Sequence, residues 1–212
     1  MSGNGIKLGV SFSGLTRPQP DLLPPGNRSM VNNTPAYIAD LPSNVNVATV
    51  GPAWTVANVG QLQAQCPTAT ILYITNGQWA TSGIKSGIAH ADCDVFDYEA
   101  QFSSDGNHNL AVALTDAIAW LQAHQAAHPG RLGCVYMYYG NIPGFITAVQ
   151  AAGIPGCYIW AAQQTNIEHN YQYPSSYPSG FSQPVTQWSG YLNNQQINYN
   201  TIYDQNWLVA YS

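Results

Sequence analysis

A strand, a helix and a second strand follow one another in Gly133–Ala162, which reads GCVYMYYGNIPGFITAVQAAGIPGCYIWAA. The runs Gly133–Tyr139 and Cys157–Ala162 are short and apolar, as buried strands are. Between them, Ile142–Ala152 has helical periodicity and is closed by Gly153-Ile154-Pro155, which is a helix-stop signal. This order predicts a strand–helix–strand unit, the building block of a parallel sheet.

The same alternation of apolar strands with amphipathic or Ala-rich helices continues through the chain from about position 45. It predicts an α/β fold, a complete or abbreviated (β/α)8 TIM-like barrel that spans residues 1–212 as a single domain. Arg17–Asn33 and Asn170–Gln183 are rich in turn formers, and we predict that both are long loops. The other predicted strands are Ile6–Ser11, Val45–Val50, Thr70–Thr75, Asp94–Glu99, Val185–Trp188 and Thr201–Trp207, and the other helices are Val56–Gln65 and Asn109–His128.

The chain carries few charges. Asp, Glu, Lys and Arg make up 7% of its 212 residues, against roughly 25% in average soluble proteins. With five Lys and Arg residues and a net charge of −5, no basic stripe is left for a phosphate backbone, so we expect no nucleic-acid partner. No apolar run approaches the roughly 20 residues that cross a bilayer, and Met1–Lys7 lacks the features of a secretory signal. We therefore expect neither membrane insertion nor a classical signal peptide.

The cysteines and histidines do not have the spacing of metal ligands. None of the four cysteines forms a CxxC pair, and the histidines offer only His124 and His128 at a helical i, i+4 spacing. That pair fits a helix end, where cationic side chains are mildly favourable. We predict no metal site and no cofactor, and the cysteines are either buried thiols or disulfides; they are Cys66, Cys93, Cys134 and Cys157.

Carboxylates are concentrated in Ala91–Glu99, which holds four of the ten in the chain. Asp97 and Glu99 are two residues apart at a predicted strand end, so both point to one face with α-carbons about 6.5 Å apart. Asp92 and Asp94 fit loop or capping positions better. Paired carboxylates flanked by aromatic side chains are typical of carbohydrate sites, because sugar rings stack on aromatic rings and an oxocarbenium-like transition state needs negative charge nearby.

Five short motifs, in the same order along the chain, resemble those of the glycoside hydrolase family 25 lysozymes, many of which are bacteriophage or bacterial muramidases. The family's D-x-E at the end of a central strand is matched by Asp97-Tyr98-Glu99. The others are its Tyr-containing strand (Val135–Tyr139), its Trp-and-Ala strand (Tyr158–Ala162), its Trp-Gln-Tyr-like strand (Thr186–Ser189) and its closing V-D-x-N (Tyr203–Asn206).

The resemblance implies a peptidoglycan-cleaving hydrolase with Glu99 as the general acid. Asp97 and Asp204 would then stabilise positive charge and orient the sugar or the water. It also implies that bacterial cell-wall glycan is the partner, with other phage virion proteins as further partners, and that the protein is extracellular or virion-associated. The expected substrate-binding side chains are Tyr138, Tyr139, Trp160, Gln187 and Trp188.

The chain departs from the family in the first strand. Family members usually carry an Asp there, in a G-x-D-x-S context, whereas Leu8–Ser13 has no carboxylate. A glycan-binding or structural virion protein of the same fold, without turnover, is therefore one alternative. A chitinase-like hydrolase is another, because Asp92 and Asp97-x-Glu99 partly match the D-x-x-D-x-D-x-E motif of family 18 chitinases, with Val95 in place of the middle Asp.

Overall fold

The chain forms an α/β fold. The computed structural model describes residues 7–11, 27–29, 47–50, 55–75, 91–98, 110–163, 176–192 and 195–202. The helices in these ranges are α1 (Val56–Gln65), α2 (Leu110–Ala127) and α3 (Ile142–Ala151), with a 3₁₀ turn at Tyr139–Asn141. The strands are β1 (Lys7–Ser11), β2 (Asn27–Ser29), β3 (Val47–Val50), β4 (Thr70–Thr75), β5 (Ala91–Tyr98), β6 (Cys134–Tyr138), β7 (Cys157–Gln163), β8 (Phe181–Leu192) and β9 (Gln195–Ile202).

All of these strands belong to one sheet, in the order β2-β1-β9-β8-β7-β6-β5-β4-β3. Each strand from β3 to β7 pairs in parallel with the next one in the chain. Strand β9 is antiparallel to both of its neighbours, β8 and β1, and β1 is parallel to β2. Strands β2 and β3, at the two ends of this order, are in contact with each other.

The strand–helix–strand unit formed by β6, α3 and β7 confirms the prediction for Gly133–Ala162 to within two residues at every boundary. Its helix begins with Pro143 in the first turn, where the missing N–H costs nothing. Helix α1 begins at a capping box, in which the Thr55 hydroxyl accepts from the Asn58 backbone N–H at 3.2 Å and the Asn58 side chain accepts from the Thr55 backbone N–H. Local signals of this kind fix helix ends without long-range contacts.

The main core lies between the sheet and helices α2 and α3. Strand residues such as Phe96, Val135 and Ile159 pack there against helix residues such as Leu121 and Phe145. We call this the helix side of the sheet. The opposite face carries a second apolar cluster, which we call the inner cluster; its buried members are Leu72, Ile74, Val95, Cys134, Trp160 and Val185.

The carboxyl-terminal part of the fold differs from the predicted strand–helix repeat. Val185–Trp188 and Thr201–Trp207 were expected as separate short strands, but β8 begins at Phe181 and pairs antiparallel with β9. Residues 203–207 lie outside the described residues. Strand β8 extends into the predicted loop because the buried Gln183 finds partners: it accepts from the Tyr177 hydroxyl at 2.5 Å and donates to the Thr186 hydroxyl at 2.5 Å. The predicted loop Arg17–Asn33 also contains a strand, β2.

The three cysteines whose side chains the structure describes are buried thiols, not disulfides. They are Cys66, Cys134 and Cys157. Burial raises the pKa of the Cys66 thiol to about 11, and it raises the pKa of Cys157 further still. In the described part of the chain, no helix combines the length and the apolar character needed to cross a membrane.

Candidate functional site

Strand alternation separates the side chains of β5 between the two faces of the sheet. Phe96 and Tyr98 join the core on the helix side, whereas Val95 belongs to the inner cluster. Asp97 lies two residues beyond Val95, so it is on the face of the inner cluster, at the carboxyl end of the strand. In parallel α/β sheets, this end is where ligands bind.

A continuous row of side chains crosses four strands at the level of Asp97. The paired positions are Asp97 with Tyr136, Tyr136 with Trp160, and Trp160 with Val185. Backbones paired in this way are about 4.8 Å apart from one strand to the next. We call these four residues the Asp97 row. The level below it, toward the amino ends of the strands, pairs Val95 with Cys134 and is apolar.

Asp97 is 6% exposed and is the one buried carboxylate among the side chains that the structure describes. Carboxylates are seldom buried, because taking a charge out of water is costly, and buried ones are concentrated where a protein uses them. It lies one level above an apolar layer of the sheet, that of Val95 and Cys134. Such a carboxylate can stabilise a developing cation or hold a hydroxyl group in place.

Tyr136 links β6 to β8, the strand on the far side of β7. Its hydroxyl donates a 2.7 Å hydrogen bond to Oε1 of Gln187, and this bond reaches from β6 over β7 to β8. Its ring meets the ring of Trp160 edge to face, with centroids 5.6 Å apart and planes at 85°. Trp160 is 2% exposed, so its ring is buried where it packs against the ring of Tyr136.

The level above the row contains Tyr138, Ala162 and Gln187, which pair in that order across β6, β7 and β8. Ala162 contributes only a methyl group between two longer side chains. Tyr138 is 41% exposed, which makes it an accessible aromatic surface at the carboxyl end of β6. Gln187 is buried, and on its other side it pairs with Asn200 of β9. This level therefore has an open aromatic end and a buried amide end.

Tyr139 differs from its neighbour Tyr138. It lies in the 3₁₀ turn and packs against the core on the helix side. The two rings are in contact, with centroids 4.6 Å apart. A side-chain hydrogen bond with Tyr138 raises the pKa of the Tyr139 hydroxyl, and the charge of that neighbour and partial desolvation add to the effect. Tyr139 thus packs against both the Tyr138 ring and the core on the helix side.

The structure brings together four of the residues predicted for the site on one face of the sheet. Asp97 and Tyr138 lie near the carboxyl ends of β5 and β6, and Trp160 and Gln187 lie midway along β7 and β8. Trp188 lies in β8 opposite Tyr199 of β9. Glu99 and Asp204 lie outside the described residues. The sequence analysis missed Tyr136, although its i, i+2 spacing from Tyr138 was a signal that both face the same side.

Among the described side chains, no group of three or more His, Cys, Asp or Glu residues is placed to hold a metal ion. No protein-family model, curated protein sequence or solved structure matches the chain.

Proposed function

We propose that the protein is a glycoside hydrolase that cleaves β-1,4 bonds of bacterial peptidoglycan. The observation that carries the proposal is the placement of Asp97: a buried carboxylate at the carboxyl end of a parallel strand, in one row with Tyr136 and Trp160. Aromatic side chains beside a carboxylate suit a sugar ring with a cationic transition state. The motif that resembles family 25, Asp97-Tyr98-Glu99, begins at the same residue.

In this proposal Glu99 is the general acid that protonates the oxygen of the glycosidic bond as the bond breaks. The i, i+2 spacing of Asp97 and Glu99 in the sequence directs both carboxyl groups to one face of an extended strand. The carboxyl group of Asp97 stabilises the positive charge that develops on the sugar. Asp204 carries the remaining role, orientation of the sugar or the attacking water, which rests on its match to the family's closing motif.

The sugar would lie along the level of Tyr138 and Gln187. The exposed Tyr138 ring, backed by Tyr139, offers a flat apolar surface for the C–H face of a sugar. Gln187 offers an amide for its polar groups. Trp160 forms the floor beneath, and Trp188 stays a predicted contact that rests on its motif alone.

We also propose that the sheet closes into a TIM-like barrel. One observation supports this proposal: the strands at the two ends of the order, β2 and β3, contact each other. A closed sheet would turn the inner cluster into the packed interior of the barrel and the Asp97 row into the base of a cleft.

One observation favours a second candidate function. Strand β1, with the sequence KLGVS, carries no carboxylate at the place where family 25 enzymes usually have an Asp. A barrel lacking that group could bind glycan without cleaving it, as a structural or adhesive component of a phage virion. In either case, we propose an extracellular or virion-associated location and phage virion proteins as further partners.

Release of soluble muropeptides from purified bacterial cell wall separates the two functions. Wild type should release fragments with new reducing ends, and Glu99→Gln should release roughly 100-fold fewer or none, because a general acid contributes about 10²–10⁴ in rate. Glu168→Gln is the matched control, since Glu168 is the only other glutamate in the chain. Wall binding without release by the wild type would establish the binding function instead. Activity on chitin but not on wall would favour a chitinase-like enzyme.

A further inference from the structure

The ring of Tyr138 occupies the space in which a side chain at position 140 would begin. A Cβ atom on Gly140 would lie 2.9 Å from Cε1 and 3.3 Å from Cδ1 of Tyr138. Both distances are shorter than the roughly 3.5 Å at which two carbon atoms pack favourably. The Tyr138 ring therefore lies directly over the 3₁₀ turn Tyr139–Asn141, in an arrangement that requires a residue without a side chain at position 140.

The backbone conformation of Gly140 does not itself require a glycine. Gly140 is not among the described glycines with a positive φ, which are Gly130, Gly153, Gly156 and Gly180. An alanine can adopt the same backbone conformation without strain. Apart from its chain neighbours, the three heavy atoms nearest to the Cβ position all belong to the ring of Tyr138. A methyl group at position 140 would therefore displace this ring first.

Tyr139 gives the Tyr138 ring a second contact. The two ring centroids are 4.6 Å apart with planes at 57°, and Tyr139 also packs against the core on the helix side. With these neighbours in place, 41% of the Tyr138 side chain is still exposed. A ring that is held in position before a ligand arrives loses little conformational freedom on binding, and this increases affinity.

We infer that Gly140 is a positioning residue, which lets the Tyr138 ring lie over the 3₁₀ turn as a preformed stacking surface for a sugar ring. The inference rests on the proposed function and adds to it the residue that sets the orientation of its aromatic surface. Stacking needs the ring to meet the C–H face of the sugar at a fixed angle. Displacement of the ring by a methyl group at position 140 removes that angle and leaves the fold intact.

The test measures the apparent KM and kcat for purified cell wall, and the dissociation constant for the same wall in a Glu99→Gln background that prevents cleavage. Gly140→Ala should raise KM and the dissociation constant roughly fivefold, the scale of one aromatic contact, with kcat nearly unchanged. Tyr138→Leu should have an equal or larger effect. Adding Gly140→Ala to Tyr138→Leu should then change nothing further, because the ring that Gly140 positions is absent.

Gly144→Ala is the matched control, since it lies one turn further on in α3 with no heavy atom within 4 Å of its Cβ position. Its KM should equal that of the wild type. Unchanged wall affinity in Gly140→Ala would overturn the inference. The same loss of affinity in the Tyr138→Leu background would also overturn it, because the substitution would then act on the turn rather than on the ring.

Urea unfolding of each variant is measured in parallel. Gly140→Ala should be at least as stable as the wild type, because alanine restricts the unfolded chain. A marked loss of stability would overturn the inference, since the methyl group would then displace the backbone. If the wild type binds wall without cleaving it, the proposed hydrolase function fails, whereas the affinities of the variants still decide the role of Gly140. If the wild type neither binds nor cleaves, both proposals fail.

Discussion

A Cβ atom on Gly156 would lie 1.8 Å from the carbonyl oxygen of Gly180, so the backbones that lead into β7 and β8 are in direct contact at these two residues. The relationship is reciprocal: a Cβ on Gly180 would lie 2.0 Å from the carbonyl oxygen of Pro155. Gly180 also has φ +87°, which side-chain-bearing residues adopt only with strain. The two parallel strands therefore start side by side only because neither glycine carries a side chain.

We predict that Gly156→Ala and Gly180→Ala each lower the free energy of unfolding by about 2 kcal/mol or more, because a backbone atom must move to admit the methyl group. Urea denaturation followed by circular dichroism measures this. Gly60→Ala is the control, since nothing lies within 4 Å of its Cβ position in α1, and it should stabilise by about 0.5–1 kcal/mol. Equal effects at all three glycines would contradict the close backbone contact at Gly156 and Gly180.

Removal of the Thr55 hydroxyl should weaken the start of α1. We expect Thr55→Ala to cost about 1 kcal/mol of unfolding free energy, because the Asn58 backbone N–H then loses its acceptor. Thr55→Ser keeps the hydroxyl and should remain within a few tenths of a kcal/mol of the wild type. Thermal and urea unfolding of the two variants provide the comparison, and equal losses in both would refute a capping role for the hydroxyl.

Asp97→Asn should separate stability from activity. We predict that wall cleavage falls by about 10²-fold or more, because the amide cannot stabilise positive charge. The free energy of unfolding should rise by about 1 kcal/mol, because a nearly isosteric neutral group replaces a buried carboxylate. Measurements of activity and of denaturation on the same variant test both predictions. A variant that loses stability and activity in proportion would instead assign Asp97 to the core.

Alkaline pH should destabilise the fold through buried thiols. The pKa of Cys66 is raised from 9.0 to about 11 by burial, so above pH 9 the unfolded chain releases a proton that the folded protein retains. The contribution of Cys66 to stability is complete below pH 9 and is lost as the pH rises through 11. Burial raises the pKa of Cys157 and Tyr177 as well, which adds to the effect.

Urea unfolding at pH 7, 9 and 10.5 measures this dependence. Cys66→Ala should show a shallower decrease between pH 9 and 10.5 than the wild type. A variant whose stability falls as steeply as that of the wild type would show that Cys66 does not contribute.

The parts of the fold that the sequence predicted well are those that local signals determine. Helix α3 follows from its periodicity and the Gly153-Ile154-Pro155 stop, and β6 and β7 from short apolar runs around it. The start of β8 was missed because Tyr177 and Gln183 read as polar loop residues, and the burial of Gln183 depends on its hydrogen bonds with Tyr177 and Thr186. Strand β9 pairs antiparallel with its neighbour in sequence, β8, and also with β1, and no local pattern encodes the second pairing.

The candidate site was predictable to the extent that strand alternation defines a face. The sequence pattern placed Asp97, Tyr138 and Gln187 toward strand ends. It could not determine which residue of one strand pairs with which residue of the next. The register that puts Asp97 opposite Tyr136 arises from contacts between strands far apart in sequence. For the same reason the sequence left Trp160 undecided between packing and sugar contact, whereas the structure places its ring in the inner cluster.

Strand β1 lies between β2, which follows it closely in the chain, and β9, which follows it by almost 190 residues, with Val10 opposite Tyr199. During synthesis, β2 is available to β1 early, but the edge of β1 that pairs with β9 stays open while β4 to β8 assemble. Closing so long a loop is slow, and it commits the fold late. The last of the described strands to be translated therefore joins β8 to β1, and a ribosome that stalls before β9 releases a chain in which this connection is missing.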